Sequence, residues 1–177
     1  MLYTRKGDSG TSGLFGTKER LAKDSTVYEA LGTLDELNSL LGVCRAKAMG
    51  VRGGIVIADE LEKVQQMLFI AQAELAGAAK QILTAHLDIL EFAVDDIESR
   101  IQNPHSFVLP GANELSALLD YARAVSRRAE RAVVRVRGTR PVAPTTAAYL
   151  NRLSSLLYAL ARYAARESGA KEYAPSY

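Results

Sequence analysis

Arg123, Arg127 and Arg131 stand at i, i+4 and i+8 in a segment with no internal Pro or Gly. At about 100° per residue they share one arc of a helix with Glu130 and Asp120. The apolar residues Leu115, Leu118, Ala122, Val125, Ala129, Ala132 and Val136 fall on a different arc. Like charges at this spacing repel, so the row needs water, carboxylates or a bound anion. The planar guanidinium fork suits carboxylate and phosphate oxygens. A solvated basic face satisfies the same pattern, and the helix alone leaves both readings open.

A second stretch suits the same chemistry. Glycines at Gly7, Gly10, Gly13 and Gly16 are interleaved with Thr4, Lys6, Asp8, Ser9, Thr11 and Ser12, and Lys23 follows. Glycine lets consecutive backbone N–H groups converge on an anion. Neither G-x-x-x-x-G-K-[ST] nor G-x-G-x-x-G is present. By itself the stretch is equally a loose N-terminal segment.

Other constellations are less specific. Asp35 and Asn38 lie three apart beside an apolar seam, where an Asp is either exposed or paired with a cation, an arginine of the 112–137 segment among the candidates. Ser106, Phe107, Val108, Leu109, Pro110 and Gly111 form either an apolar plug for one end of the fold or a flat wall for a large ligand. Asn151, between Leu150 and Arg152 and close after Tyr149, suits a structural bridge or a polar ligand equally. His86 and His105 are isolated, with no Glu-x-x-His motif, which argues against a di-iron carboxylate bundle. No Ser/His/Asp or Cys/His set suggests a hydrolase. The inventory is cationic and lacks a nucleophile. It points to an enzyme whose substrate brings its own nucleophile, or to a binding protein.

The elements that must position these groups read as five helices, at about 26–48, 55–80, 84–102, 112–137 and 144–168. Their seams are Val27, Leu34, Leu37, Leu41 and Cys44; then Leu61, Val64, Leu68, Ala71, Leu75 and Ala78; then Leu87, Leu90, Val94, Ile97 and Ile101; then the arginine helix; then Leu150, Leu153, Leu157, Leu160 and Ala164. Pro144 suits a first helical position, and Gly138 and Gly169 suit helix ends. The Gly-rich turn at 52–54, Asn103-Pro104 and Pro141 mark breaks. Short connections favour antiparallel neighbours. The expected fold is an all-α, up-and-down five-helix bundle in one domain. An irregular segment, 1–24, precedes a bundle, 25–168, and a mobile tail follows at 169–177.

Composition narrows the class. The chain has 177 residues, 48% of them apolar and 24% charged, enough for one real core. A net charge of +2 is too weak to imply nucleic acid, so any anion site comes from local clustering. The single cysteine, Cys44, excludes a disulfide framework and sits on a seam as a small core residue. No apolar run reaches membrane-spanning length and the first residues do not read as a signal peptide, so a soluble, cytoplasmic protein is expected, with no membrane partner.

Five ordered blocks together resemble the PduO-type ATP:cob(I)alamin adenosyltransferases. Tyr3-Thr4-Arg5-Lys6-Gly7-Asp8-Ser9-Gly10-Thr11 resembles that family's Y-T-x-x-G-D-x-G-x-T. Lys23-Asp24, then Gly32-Thr33-Leu34-Asp35-Glu36-Leu37-Asn38-Ser39, resembles its K-D…G-T-x-D-E-L-N-S. Phe107-Val108-Leu109-Pro110-Gly111 resembles F-x-L-P-G. The run from Arg123 to Arg131 resembles R-x-x-x-R-R-A-E-R, and Tyr149-Leu150-Asn151-Arg152-Leu153-Ser154 resembles Y-L-N-R-L-S. Asp120, Leu31 and Ser155 depart from residues frequent in the family, where His, Tyr and Asp are common.

The resemblance implies a cobalamin adenosyltransferase-like bundle assembled as a homotrimer, with active sites between subunits. Thr4, Lys6, Gly7, Asp8, Gly10, Thr11 and Lys23 would hold the ATP phosphates, aided by Arg127. Glu130 and Asn151 would also lie at the nucleotide. Asp35 would pair with Arg123 across the subunit interface. Phe107 would stand where the lower axial ligand of the corrin must leave, and Arg127, Phe107 and Asn151 would act most directly on the reaction. Reduced cob(I)alamin would attack the 5′ carbon of ATP, with Mg2+ accompanying the nucleotide through ligands the sequence does not reveal. A reductase that supplies the reduced corrinoid and an acceptor enzyme for adenosylcobalamin would be partners. The alternatives are a non-catalytic helical protein that binds ATP as a regulatory ligand, and a nucleic-acid-binding bundle, which low charge and few aromatics disfavour.

Overall fold

The computed structural model describes residues 2–101 and 106–177. His105, and the break expected at Asn103 and Pro104, lie outside the described residues. A short antiparallel hairpin opens the chain, β1 (Thr11–Gly13) with β2 (Arg20–Ala22), paired Thr11 to Ala22 and Gly13 to Arg20. Five helices follow: α1 (Thr26–Ala48), α2 (Gly54–Leu75), α3 (Thr84–Ser99), α4 (Glu114–Val136) and α5 (Pro144–Glu167). Three-residue strands are too short for alternation to reveal, so the hairpin was not expected.

The helices alternate in direction. Arg45 of α1 pairs with Glu62 of α2, and the Gln65 amide donates to the Asn38 carbonyl at 3.1 Å, which fixes α1 and α2 as antiparallel. Lys47 with Glu114, and Glu36 with Arg128, do the same for α1 and α4. His86 and Leu90 of α3 share a groove with Tyr149 of α5, and further on Val94 and Glu98 share a cavity with Ser154 and Tyr158, so α3 runs parallel to α5. The expected up-and-down five-helix bundle is the one observed. α5 is its centre: it packs against α4, α3 and α2, and the stretch from Leu156 to Ala165 is buried almost without interruption. The seam residues of α1, Val27, Leu34, Leu37, Leu41 and Cys44, are all buried. Burial pushes the Cys44 thiol up to about 11.

Two helix ends carry specific chemistry. Asn113 caps α4: its side-chain oxygen accepts from Ser116 N–H at 2.8 Å, and its amide reaches the Ala164 carbonyl at 3.0 Å and Ser168 Oγ at 2.7 Å. One residue thus closes the start of α4 and fastens it to the end of α5. At the other end, Glu74 of α2 accepts from Ala143 N–H and from Thr146 Oγ1, both at 2.6 Å, and so anchors the start of α5. α2 stops at Leu75, short of the expected 80. Gly77 takes φ +94°, its N–H donates to the Glu74 carbonyl at 2.9 Å and Ala78 N–H donates to Ala73 at 2.9 Å, a glycine closure that overrides the heptad spacing through Ala78. No helix among the described residues is long and apolar enough to cross a membrane.

Candidate functional site

The arrangement of α4 and α5 decides which side chains meet. They run antiparallel, so each step forward on α4 meets a step back on α5. Asn113 meets Ser168, Asp120 meets Arg162 at 2.5 Å, and Glu130 meets Asn151, whose amide donates to Glu130 Oε1 at 2.9 Å. The last two contacts are about 15 Å apart along the axis. Arg123 and Arg127 lie between them. Both line a cavity of about 360 Å³ with Ser154, Ser155 and Tyr158 of α5 and Glu98 of α3.

The arginines of α4 therefore divide. Arg123 and Arg127 turn toward α5, while Arg128 turns to α1 and pairs with Glu36. Arg131 is exposed. Asp35, one residue before Glu36, is exposed, and the ion pair with the arginine helix belongs to its neighbour. Arg123 Nε is buried and finds no hydrogen-bond partner among the described residues. A buried guanidinium nitrogen without an acceptor is costly, so this cation is suited to a carboxylate or a bound anion.

A larger cavity, about 750 Å³, adjoins the first, and Arg123 and Tyr158 line both. Its other walls include Phe107, Val108 and Pro110, then Asp120, and residues of the C-terminal tail. Phe107 is 79% exposed, so this loop does not plug the bundle. It forms the wall of an open apolar chamber. A cationic polar cavity and a large apolar one thus share a boundary, an arrangement suited to a ligand pair in which one member is anionic and the other broad and apolar.

The N-terminal loop is organised by contacts of its own. Gly10 has φ +78°, and its carbonyl accepts from Lys23 N–H at 2.9 Å. The Lys23 ammonium packs onto Gly7, where a Cβ would stand 3.0 Å from Nζ. Arg20 clamps the loop, donating to the Lys6 carbonyl at 2.5 Å, to the Thr11 carbonyl at 2.8 Å and to Thr11 Oγ1 at 3.0 Å. Thr4, Lys6, Asp8 and Gly10 remain exposed, and Gly7 and Thr11 are half-buried. Sequence reasoning missed Arg20, because two of its three acceptors are backbone carbonyls and leave no side-chain pattern. Among the described residues no hydrogen bond or ion pair joins this loop to Arg127, Glu130 or Asn151.

Several singled-out residues do other work. Tyr149 is buried in a different groove with Glu60 and Met67, and burial, reinforced by Glu60, pushes its hydroxyl well above the usual phenol range. Arg152 pairs with Glu91. His86 accepts the Leu83 N–H on Nδ1 at 3.1 Å, a local closure of the start of α3. Asp120 is 8% exposed and held by the buried Arg162, a partner that the position of Arg162 inside an apolar helix did not announce. No group of three or more His, Cys, Asp or Glu able to hold a metal occurs among the described residues.

Comparison with known proteins places the chain in a family. Residues 2–164 match the cobalamin adenosyltransferase family. Corrinoid adenosyltransferase PduO of Salmonella typhimurium is 42% identical over 173 residues, covering 91% of this chain and 48% of that protein. The chain therefore spans about half the length of that relative. Human corrinoid adenosyltransferase MMAB is 38% identical over 181 residues, covering 97% of this chain and 71% of its own. A solved structure of a phenylalanine-to-histidine variant of the PduO-type ATP:corrinoid adenosyltransferase from Lactobacillus reuteri, complexed with cobalamin and ATP, superposes with a TM-score of 0.89 at 28% identity, covering 99% of this chain and 96% of that one. With its five motif blocks folded into the same bundle, this chain belongs to the PduO-type cobalamin adenosyltransferase family.

Proposed function

We propose that this chain transfers the 5′-deoxyadenosyl group of ATP to the cobalt of a reduced corrinoid, cob(I)alamin or a relative. The observation that carries this is the shared boundary: Arg123 and Tyr158 line both the cationic cavity of α4–α5 and the apolar chamber of Phe107. A nucleotide on one side and a corrin on the other would meet there. The reduced cobalt supplies the electron pair. It attacks C5′, the Co–C bond forms, the C5′–O bond breaks, and triphosphate leaves with the bonding electrons. The substrate carries the hard chemistry, and the protein supplies orientation and charge.

The roles follow from position. Thr4, Lys6, Gly7, Asp8, Gly10, Thr11 and Lys23 cradle the triphosphate. Arg127 adds charge where the leaving oxygen becomes negative. The Glu130–Asn151 pair offers an acceptor and a carbonyl to the nucleoside. Phe107 closes the lower face of the corrin against a returning axial ligand. Magnesium fits this donor set. It binds mainly through phosphate oxygens and water with one or two carboxylates, and the exposed Asp8, the half-buried Glu130 and the cavity-lining Glu98 are carboxylates that could serve.

Because no hydrogen bond or ion pair among the described residues joins the loop to Arg127, Glu130 or Asn151, and Arg123 Nε lacks a partner among them, we assign the complete site to two subunits. A homotrimer in which Asp35 of one copy meets Arg123 of the next satisfies both the exposed carboxylate and the unpartnered guanidinium. A reductase delivering the reduced corrinoid and an adenosylcobalamin-dependent acceptor are the partners this reaction requires. A reducing, ATP-supplied compartment such as the cytoplasm suits the substrates and the free thiol of Cys44.

The test is direct. Chemically reduced cobalamin and ATP are mixed with the protein, and the cob(I)alamin absorption band is followed. Its ATP-dependent loss, with formation of a light-sensitive alkylcobalamin and free triphosphate, is the expected result. ATP binding without product would instead establish a regulatory nucleotide-binding protein.

A further inference from the structure

The residues after α5 turn back on the bundle. Gly169 takes φ +70°, its N–H donates to the Arg166 carbonyl at 2.9 Å, and Ala170 N–H donates to Ala165 at 3.0 Å. This glycine closure redirects the chain. Two attachments then hold it. The Glu172 carboxylate lies 3.0 Å from Arg162 Nε, close enough for an ion pair though not aligned as a hydrogen bond. The Tyr173 carbonyl accepts from Leu109 N–H at 2.8 Å, in the loop that carries Phe107. Beyond these points Ala174, Pro175 and Tyr177 line the apolar chamber together with Phe107.

Arg162 is the hub. It is 3% exposed, its NH2 group is 2.5 Å from Asp120, and its guanidinium lies 5.0 Å from the centre of the Tyr158 ring. Asp120 offsets the charge of this buried guanidinium but leaves its Nε without a hydrogen-bond partner, and a buried N–H with nothing polar beside it is costly. Glu172 supplies that polar neighbour from the tail. One carboxylate therefore links the buried cation behind the chamber to the segment at its rim.

We propose that Glu172 is a positioning residue for the corrinoid: by closing on Arg162 it holds residues 173–177 as a wall of the chamber beside Phe107. The tail then governs how tightly the corrinoid is held and leaves the ATP side unaffected. The identity of the ligand rests on the adenosyltransferase reading, whereas the clasp does not. Pro175 and the exposed ring of Tyr177 offer the apolar contact that a broad macrocycle takes.

Amide exchange and steady-state kinetics on the full chain test the two halves separately. Glu172→Lys places a cation against Arg162 and releases the tail. Exchange at Leu109 should accelerate at least about tenfold while the helices stay protected, and the corrinoid KM should rise about three- to tenfold with the ATP KM unchanged. Glu172→Gln keeps an acceptor oxygen and sheds the cost of burying charge, so it should stay near wild type in both readouts. Tyr177→Ala should raise the corrinoid KM without freeing Leu109. Wild-type exchange at Leu109 in Glu172→Lys would overturn the clasp. A freed Leu109 with an unchanged corrinoid KM, or with corrinoid and ATP KM rising together, would overturn the positioning role. If the wild-type protein forms no adenosylcorrinoid, the reaction assignment fails, and with it the corrinoid role of the tail; the exchange result still judges the clasp.

Discussion

The Asn151 amide donates to the Glu130 carboxylate at 2.9 Å, bridging α5 and α4 on the wet side of their interface. Asn151 is exposed and Glu130 half-buried, so the bond adds little to folding. In the proposed nucleotide site, the pair would present a fixed oxygen and a fixed carbonyl to the nucleoside. Asn151→Ala should shift the melting temperature by no more than a few degrees, which corresponds to about 1 kcal/mol or less in a chain of this size. It should raise the ATP KM about tenfold, equivalent to one lost hydrogen bond and a loosened partner. A variant with wild-type ATP KM would remove the pair from the nucleotide site.

Gly7 and Lys23 form a second relationship that can be tested without disturbing the bundle. A Cβ at position 7 would sit 3.0 Å from Lys23 Nζ and 3.2 Å from Cε. The flexible end of the lysine gives way, so Gly7→Ala should leave stability within about 0.5 kcal/mol. The displaced ammonium should weaken ATP and triphosphate binding several-fold, as loss of one cation from a phosphate cradle requires. Isothermal titration with triphosphate reads this directly, and unchanged affinity would mean that the loop does not hold phosphate.

Phe107 is exposed in an apolar wall. Removing it costs the fold almost nothing, because no core contact is lost. Phe107→Ala should cut turnover with cobalamin at least about tenfold and spare ATP binding, if excluding the lower ligand contributes one unit or more of log rate. Cobinamide lacks the nucleotide tail that supplies that ligand, so its turnover should fall less. Equal losses on the two corrinoids would leave Phe107 a packing contact only.

Asp35 is exposed, and Arg123 Nε is buried without a hydrogen-bond partner among the described residues. If the two meet between copies, Asp35→Asn and Arg123→Ala should each weaken assembly and activity together. The swapped pair Asp35→Arg with Arg123→Asp should restore part of the assembly. Sedimentation of the four proteins gives the coupling, expected at about 0.5–3 kcal/mol for a direct contact. Additive single effects with an intact oligomer throughout would show that the pair does not form.

Glu172 gives the tail a pH dependence of definite sign. Burial, the largest influence, raises its carboxyl above 4.5; Arg162 lowers it and Asp120 raises it again. The docked form thus binds the proton more tightly than the free tail does. Docking is strongest below the ordinary carboxylate range. It weakens as pH rises from the free value through the raised one, and is level above that. Corrected for intrinsic exchange, protection of Leu109 should be greater at pH 4 than at pH 7. Glu172→Gln should remove that slope while other carboxylates still titrate. A wild-type slope of opposite sign, with protection lost on acidification relative to Glu172→Gln, would refute it.

The helices were legible in the sequence because their signals are local. Spacing of Leu34, Leu37 and Leu41, Pro144 at a first turn and Gly169 past a last one each act within a few residues. The five helices and their core faces follow from these, and the ordered motif blocks named the family. Where the local signals competed, at Gly77 against Ala78, the glycine closure won. Which side chains meet was not legible, because periodicity says which face is buried and not which neighbour covers it. The register of α4 against α5 sets Glu130 on Asn151 and leaves Arg123 and Arg127 on a shared cavity. The same packing gives Arg128 to Glu36 rather than to a ligand, and carries Arg162 into the interior against Asp120 and Glu172. These pairings join residues tens of positions apart. They exist only once whole helices have docked, so the tertiary structure alone decided them.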